Sequence, residues 1–219
     1  MSRVLVVAKS PVAGAVKTRL GADIGMDAAA DMAAAALLDT LRACAAAYDV
    51  GRRHLALAGD LAGAVRGAAI ERALTGWHVF PQHGEGFSER LVHAHVTAAG
   101  HGAGPVVQIG MDTPQVTPDL LVGAVDALAD QDAVLGPAGD GGWWVLALQD
   151  ARRATPLGRV TMSTPATYAD THDALSDSGL RVATTSVLRD VDTVADADAV
   201  ADEAPHSLFA EAWGDLRAR

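Results

Sequence analysis

Residues 4–20 read VLVVAKSPVAGAVKTRL, an apolar run that passes directly into a basic loop. Val4–Val7 is apolar at every position, which is typical of a strand buried on both faces of a sheet. In open α/β sheets, ligands bind outside the carboxyl ends of such strands. We therefore expect the loop after this strand to face a ligand.

Outward from this strand, the chain alternates between strand-like and helix-like segments. An Ala-rich run without Gly or Pro predicts a helix over 27–48, begun by Asp27. The other expected strands are 54–58, 77–80, 106–109, 133–135, 143–148 and 180–184. The other expected helices are 61–74, 88–99, 118–129, 163–176, 194–203 and 205–213. This alternation predicts a three-layer αβα architecture with a mostly parallel central sheet, in one domain over 1–219.

Composition narrows the function classes. The net charge of −10 argues against nucleic acid as a partner, because an acidic protein repels a phosphate polymer. The single cysteine, Cys44, cannot form an intrachain disulfide and is interpreted as a small buried hydrophobe. The first apolar run is too short for a signal peptide, and no run approaches a membrane span. We expect a cytoplasmic protein without membrane insertion; the oligomeric state stays open.

The basic loop contains Lys9, Lys17 and Arg19, and Gly14 lets its backbone turn back. Three cations in an otherwise acidic chain suit a polyphosphate, which Lys meets as a point charge and Arg as a fork. The loop lacks the glycines of a P-loop, so that motif is excluded. A solvated basic loop without a ligand is the alternative.

A second candidate loop, GMDTP, follows the expected strand 106–109. Its Asp112 stands at a strand end, where a carboxylate is well placed to ligate Mg²⁺ bound to a diphosphate. The proline gives the loop a fixed shape. An ordinary turn is an equally good interpretation of Asp-Thr-Pro taken alone.

A third loop, GPAGDGGWW, spans residues 136–144. Its four glycines cost conformational entropy that a plain hairpin does not need. Asp140, followed by Gly141 and Gly142, could bring backbone N–H groups against a ligand or a metal-bound water. A turn explains one Asp-Gly pair but not the preceding Gly-Pro.

A fourth segment, DVDT, contains Asp190 and Asp192. In an extended segment these side chains share a face, and two adjacent carboxylates repel unless a cation or proton lies between them. With Asp112 they would form a hard oxygen site for Mg²⁺ or Mn²⁺. Alternatively, Asp192 or Thr193 caps the following helix, which leaves Asp190 without a role.

A softer candidate is QHGEGFSERL, residues 82–91, in which Gly84 and Gly86 precede a helix that Ser88 could cap. Together with Gln82, this segment is a candidate contact for the base or ribose of a nucleotide.

The histidines are expected to form no ligand set. His93 and His95 are two apart on a helix and point to different sides. They are interpreted as structural or exposed, as are His54, His78 and His172.

In this order, the loops resemble a bacterial family of GT-A-fold transferases, described as glycosyltransferase-like and related to deazaflavin-cofactor guanylyltransferases. The likeness runs from Lys9 to about Asp198. The motifs that carry it are K-x-P-x-x-G-x-V-K-T-R-L from Lys9 to Leu20, G-x-D-x-P from Gly110 to Pro114, G-P-A-x-D-G-G-aromatic from Gly136 to Trp143, and D-x-D-T from Asp190 to Thr193.

The resemblance implies the Rossmann-like fold of the nucleotide-diphospho-sugar transferases. It also implies a metal held by Asp112, Asp190 and Asp192. The nucleotide-binding residues would be Lys9, Gly14, Lys17, Thr18 and Arg19, with the softer candidates Gln82, Gly84 and Gly86.

Two positions depart from the family pattern. Trp143 stands where the family usually has Tyr, which would reshape the acceptor pocket. Met111 replaces a small hydroxyl residue, which would loosen a contact that supports Asp112. The stretch 158–165 looks like the family's acceptor-side loop. The acceptor site would be formed by Gly141, Gly142, Trp143, Ser163 and Thr164.

These features predict a metal-dependent transferase that takes a nucleotide donor and a small-molecule acceptor. Lys17, Arg19, Asp112 and Asp140 are the candidate catalytic residues, with the cations neutralising charge on the leaving phosphate. Either a sugar is transferred and a nucleoside diphosphate leaves, or a nucleotidyl group is transferred and pyrophosphate leaves. A nucleotide-binding module without chemistry is the rival from another class.

Overall fold

The computed structural model describes residues 1–218. Seven strands form one sheet in the order β3-β2-β1-β4-β6-β5-β7, and every strand is parallel to its neighbours except β6, which is antiparallel to both β4 and β5. The mostly parallel sheet expected from the sequence is therefore confirmed. The strands are β1 (Arg3–Lys9), β2 (Arg53–Ala58), β3 (His78–Pro81), β4 (Val106–Ile109), β5 (Ala133–Pro137), β6 (Trp143–Leu148) and β7 (Val182–Thr184).

Helices cover both faces of this sheet. They are α1 (Thr18–Ile24), α2 (Met26–Ala47), α3 (Gly67–Ala73), α4 (Phe87–Gly100), α5 (Pro118–Asp126), a 3₁₀ helix (Ala151–Arg159), α6 (Thr167–Asp177), α7 (Val194–Glu203) and α8 (Leu208–Arg217). None of the helices within residues 1–218 combines the length and apolarity needed to cross a bilayer.

Alternate side chains of β1 enter the two halves of the core. Val4 and Val6 pack with residues of α2, α3 and α5 on one face. Leu5 and Val7 pack with α4, the 3₁₀ helix and α6 on the other. Because a parallel sheet is covered on both faces, the central positions of β1, Val4–Ala8, must be apolar, which explains the unbroken run in the sequence.

Two expected helix starts are wrong. Asp27 does not begin a helix; α2 starts at Met26 after Gly25, whose φ of 90° is open to glycine at no steric cost. Ser88 does not cap α4, which starts after Gly86; the Ser88 hydroxyl donates instead to the Val160 carbonyl at 2.6 Å.

Two expected helices are shorter than their sequence patterns indicate, and two helices were not expected. Only Gly67–Ala73 of 61–74 is α-helical, and only Thr167–Asp177 of the segment from 163. Ser163 has φ 62°, a left-handed conformation that a helix cannot continue through. The helix α1 and the 3₁₀ helix were missed.

The sheet has a topological switch point beside β1. The chain continues from β1 to β2 and β3 on one side and then returns to place β4 on the other side. A crevice forms at the carboxyl edge where strand order reverses, and ligands of doubly wound sheets bind there. The loops after β1 and β4, which contain the basic residues and Asp112, therefore begin at this crevice.

Candidate active site

The loops after β1 and β4 meet through ion pairs. The Lys17 ammonium lies 2.9 Å from Asp112 Oδ1 and 3.2 Å from Asp192 Oδ1. Arg19 Nη2 lies 2.6 Å from Asp192 Oδ2. The structure thus brings together four of the residues singled out in the sequence, from three separate segments of the chain.

Lys17 is held in position by its backbone and by burial. It has φ 47° and ψ 41°, an uncommon conformation for a residue with a side chain, and it directly precedes α1. Its side chain is only 7% exposed. Burial works against its charge, but the carboxylates of Asp112 and Asp192 outweigh burial, so the pKa of Lys17 lies above its ordinary value.

Backbone hydrogen bonds place the segment of Asp190 and Asp192 between two loops. The Leu188 amide donates to the Pro137 carbonyl, which joins this segment to the end of β5. The Val191 amide donates to the carbonyl of Asp112, which joins it to the loop after β4. The aspartates on either side of Val191 therefore face Asp112 because the chain between them is bonded to it.

The side chain of Gln115 supports the segment that contains Asp190 and Asp192, a role that no sequence motif indicated. Its amide donates to the Arg189 carbonyl at 2.7 Å. Thr193 accepts from the Asp196 amide while Asp196 accepts from the Thr193 amide, which makes a capping box for α7. Thr193 is the helix cap, as one alternative held, so Asp190 and Asp192 are free of that role.

Asp190 is the most perturbed carboxyl group of the cluster. Burial and the nearby Asp112 raise its pKa to about 7, with smaller contributions from Asp140 and Asp192, while Lys17 lowers it. Lys17 and Arg19 therefore face the four carboxyl groups of Asp112, Asp140, Asp190 and Asp192. Carboxylate oxygens are ligands that Mg²⁺ and Mn²⁺ favour, although within residues 1–218 those of Asp112, Asp190 and Asp192 do not all lie within 4.8 Å of one another.

The glycine-rich loop after β5 is shaped by Asp140 and Gly141. Asp140 Oδ1 accepts from the Gly142 amide at 2.8 Å. Gly141 has φ 91° and lies against the backbone of Pro165, where any added Cβ would collide. Its carbonyl accepts from the Tyr168 amide at 2.8 Å, so the loop is bonded to the first turn of α6.

One cavity of about 380 Å³ opens between these loops. The cavity is lined by nine of the site residues expected from the sequence, namely Arg19, Asp112, Asp140, Gly142, Trp143, Ser163, Thr164, Asp190 and Asp192. The expected metal-binding and acceptor-binding groups therefore share one opening of a size typical of small-molecule sites.

The acceptor-side candidates differ in how far their polar groups are engaged. Trp143 Nε1 donates to the Thr171 hydroxyl at 3.2 Å. The Thr164 hydroxyl accepts from the Ala166 amide at 3.3 Å. Ser163 also lines the cavity. The indole of Trp143 therefore offers an apolar surface to the cavity, with its polar edge bonded to α6.

Other candidates are not brought into the cavity. Lys9, Gly14 and Thr18 are exposed on the basic loop. Gln82 donates its amide to the carbonyls of Ala8 and Ala56, so it joins the ends of β1 and β2. Gly84 and Gly86, which precede α4, also lie outside the residues that line the cavity.

A family model described as "Uncharacterized protein conserved in bacteria (DUF2064)" matches residues 40–164, more than half of the chain. The chain belongs to the DUF2064 family. No curated protein is similar enough in sequence to match it.

Solved structures resemble this DUF2064 chain over nearly its whole length. A candidate nucleotide-diphospho-sugar transferase from Desulfovibrio desulfuricans G20 is 26% identical with a TM-score of 0.80, covering 99% of this chain and 94% of that one. A cytidylyltransferase from Leptospira borgpetersenii is 10% identical with a TM-score of 0.61 over 99% and 94%. The Rv0371c protein of Mycobacterium tuberculosis, crystallised with manganese, is 19% identical with a TM-score of 0.53 over 92% and 99%. These likenesses confirm the expected GT-A-like fold of the nucleotide-diphospho-sugar transferases.

Several cavity residues of this DUF2064 chain were missed in the sequence. Phe87 lines the cavity and is 49% exposed, so its ring is accessible to a ligand there. Gln108 lines it from β4 and pairs with the buried His95, Nε2 to Oε1 at 2.9 Å. Met111, already noted as a departure from the family pattern, does not line the cavity; it is buried, and its sulfur accepts from the Lys9 amide at 3.3 Å. Only Phe87 carried a signal, as a lone aromatic at a helix start.

The histidines were expected to form no ligand set, but the structure brings three of them together. Side-chain nitrogens of His54, His78 and His101 all lie within 4.8 Å of one another. His101 was not considered in the sequence, because its approach to the other two depends on how α4 packs beside the sheet.

Proposed function

We propose that the protein is a metal-dependent transferase that takes a nucleotide donor and transfers part of it to a small-molecule acceptor. The observation that carries the proposal is that Asp112, Asp190, Asp192 and Arg19 line one cavity at the switch point, with the buried Lys17 paired to Asp112 and Asp192. Carboxylates for a metal and cations for phosphate are what a nucleotide diphosphate requires.

Asp112, Asp190 and Asp192 would hold the divalent cation, because all three line the cavity and, with Asp140, they outnumber the two cations Lys17 and Arg19. When bound, such an ion neutralises the diphosphate of the donor. The manganese in the Rv0371c crystals supports a divalent cation in a protein of this fold.

The two cations of the site would have different roles: Arg19 would act on the leaving phosphate, and Lys17 on the carboxylates. Arg19 lines the cavity and its side chain is 72% exposed, so its guanidinium can donate to phosphate oxygens. Lys17 is buried between two carboxylates and would act by holding Asp112 and Asp192 in place. Charge that grows on the leaving group is stabilised most by cations that are already in position.

The acceptor would bind on the opposite wall. Trp143 and Phe87 offer aromatic faces, and the neighbouring Gly142 also lines the cavity. Asp140, whose Oδ1 is already held by an amide, would orient an acceptor hydroxyl or amine without moving. Ser163 and Thr164 complete this wall.

A nucleotide sugar is the first candidate for the donor. The supporting observation is the likeness to the Desulfovibrio desulfuricans transferase, which covers almost all of both chains. In this version the acceptor attacks the sugar carbon, and the nucleoside diphosphate leaves with the bond electrons.

A nucleoside triphosphate is the second candidate. The supporting observation is the basic segment, in which the exposed Lys9 ends β1 and the exposed Arg19 lies in the first turn of α1, because several cations suit a longer polyphosphate. In this version the acceptor attacks the α-phosphorus and pyrophosphate leaves.

The experiment that tests the proposal is calorimetric titration with nucleoside triphosphates and nucleotide sugars, with and without Mg²⁺ or Mn²⁺, followed by analysis of released products. We expect one donor class to bind only with the metal, and Asp112→Asn to abolish this binding. Asp130→Asn, an exposed turn aspartate far from the loops, is the matched control and should bind like the parent.

The products then separate the versions. Pyrophosphate release identifies nucleotidyl transfer, and release of a nucleoside diphosphate with transfer of its sugar identifies glycosyl transfer. Donor binding that leads to no turnover with any acceptor tried would favour a nucleotide-binding module, and absence of binding under every condition would contradict the proposal.

A further inference from the structure

Three histidines gather at the edge of the sheet opposite the acidic cavity. His54 and His78 face each other in register near the starts of β2 and β3, where the strands begin rather than end. His101 directly follows α4. The ring centroids are 5.0 Å apart for His54 and His78, 5.1 Å for His54 and His101, and 4.4 Å for His78 and His101.

The innermost ring lacks the partners that a buried imidazole normally has. His54 is fully buried, and neither of its ring nitrogens makes a hydrogen bond in the described part of the chain. Backbone groups of Arg52 and Val4 lie near enough to affect its titration slightly, without hydrogen-bond geometry. A buried polar group without a partner costs about 1–3 kcal/mol, so its retention needs an explanation.

We propose that His54, His78 and His101 bind a divalent late first-row transition metal ion, with Zn²⁺ as the leading candidate. Imidazole nitrogen suits Zn²⁺, Ni²⁺ and Cu²⁺, whereas Mg²⁺, Ca²⁺ and Mn²⁺ favour oxygen ligands. The site is therefore chemically distinct from the carboxylate cluster, and the two would select different ions.

The geometry requires only small side-chain movements. A tetrahedral Zn²⁺ with Zn–N bonds of about 2.0 Å needs nitrogens about 3.3 Å apart, against separations of up to 4.8 Å here. His101 is exposed and His78 is partly exposed, so both can rotate toward the fixed His54 ring. Burial and the two neighbouring imidazoles lower the pKa of His54 to about 4, so it is neutral at pH 7, as a ligand must be.

Three protein ligands leave one tetrahedral position to water. No Asp, Glu or Cys within residues 1–218 joins the three histidines. Arg3 hydrogen-bonds to Gly104 in the loop after His101, which adds positive charge near the site. We therefore expect micromolar binding, weaker than that of four-ligand structural zinc sites.

The bound ion would join three elements of the fold. The edge strand β3 and the end of α4 would both be tied to β2 through His54. Because the ion binds the folded chain and finds no assembled site in the unfolded one, it raises the free energy of unfolding.

The test is calorimetric titration of the tag-free, EDTA-treated and dialysed protein with ZnCl₂, together with the visible absorption spectrum of the Co²⁺-loaded protein. We expect one equivalent of Zn²⁺ on the histidine site and a Co²⁺ spectrum of tetrahedral type. His78→Gln and His101→Gln should each weaken Zn²⁺ binding by about tenfold or more. Both positions are accessible, so these variants should keep the parent's circular dichroism.

Two controls make the assignment specific. His172→Gln changes an exposed histidine outside the cluster and should bind Zn²⁺ like the parent. Asp112→Asn should also keep the histidine site, so a failed proposal for the acidic cavity would leave this one standing. Absence of Zn²⁺ binding in the parent, or binding that survives both His78→Gln and His101→Gln, would overturn it.

Discussion

Lys17 and Arg19 are two residues apart, yet the structure gives them different surroundings. The Lys17 side chain is 7% exposed and bridges two carboxylates, whereas the Arg19 side chain is 72% exposed and contacts one. Spacing alone treats them as equivalent cations. Their different burial predicts that substitution of Lys17 acts mainly on stability and that substitution of Arg19 acts mainly on the reaction.

Lys17→Met is expected to lower the free energy of unfolding by about 1–3 kcal/mol in metal-free buffer. The stability is lost because Asp112 and Asp192 keep their charges without the ammonium. Since both carboxylates are partly exposed, the loss is smaller than for a fully buried ion pair. Urea unfolding with and without Mn²⁺ measures it. Mn²⁺ should stabilise Lys17→Met more than the parent, because the ion then compensates the same carboxylates.

Arg19→Met is the matched substitution in the same loop. We expect a stability change below about 1 kcal/mol, because exposed ion pairs contribute little, together with a marked loss of donor affinity. Equal destabilisation by both substitutions would contradict the separate assignments of Lys17 and Arg19.

At the scale of elements, the glycine-rich loop depends on its contact with the segment before α6. Gly141 combines a left-handed backbone with a position against the Pro165 backbone, and Asp140 closes the turn by accepting from Gly142. A side chain cannot be added there unless the loop moves away from α6. The Asp140 carboxylate would move with it.

Gly141→Ala is therefore expected to lower the free energy of unfolding by about 1–3 kcal/mol and to reduce turnover. Gly63→Ala is the control, because nothing lies near the position of its added Cβ. Thermal unfolding and activity measured on both variants test this. A Gly141→Ala protein with unchanged stability and turnover would show that the loop does not need this glycine.

Across the whole molecule, buried histidines make stability depend on pH. His95 is fully buried and bonded to Gln108, and burial lowers its pKa to about 4 from an ordinary value near 6.5. The unfolded chain then binds more protons than the folded one below pH 6.5, so stability present above that pH is lost as pH falls toward 4.

The expected loss from His95 is of the order of 2–3 kcal/mol between pH 6.5 and 4. Urea unfolding at several pH values in EDTA measures it. His95→Gln should be less stable at pH 7 but should show a shallower slope over this range. A slope remains because His54 also has a pKa near 4 and contributes with the same sign. An unchanged slope in His95→Gln would contradict the assignment.

Local sequence patterns were sufficient for most strands and for the order of the layers. The unbroken apolar run within β1 and the apolar residues of β4 follow from burial on both faces, which is a property that a short segment carries in itself. The same holds for Asp112 at the end of β4, because strand ends and loops are visible in composition. Asp27 and Ser88 failed as helix starts because competing glycines and tertiary hydrogen bonds changed the caps.

The pairing of distant segments was decided by the tertiary structure. Lys17 meets Asp192 across 175 positions of sequence because the segment before α7 is hydrogen-bonded between two strand loops. The antiparallel direction of β6, the support from Gln115 and the histidine cluster depend on the same long-range packing. Periodicity and residue type describe what a segment needs to bury or to bind. Which segments satisfy one another depends on contacts whose geometry no local pattern contains.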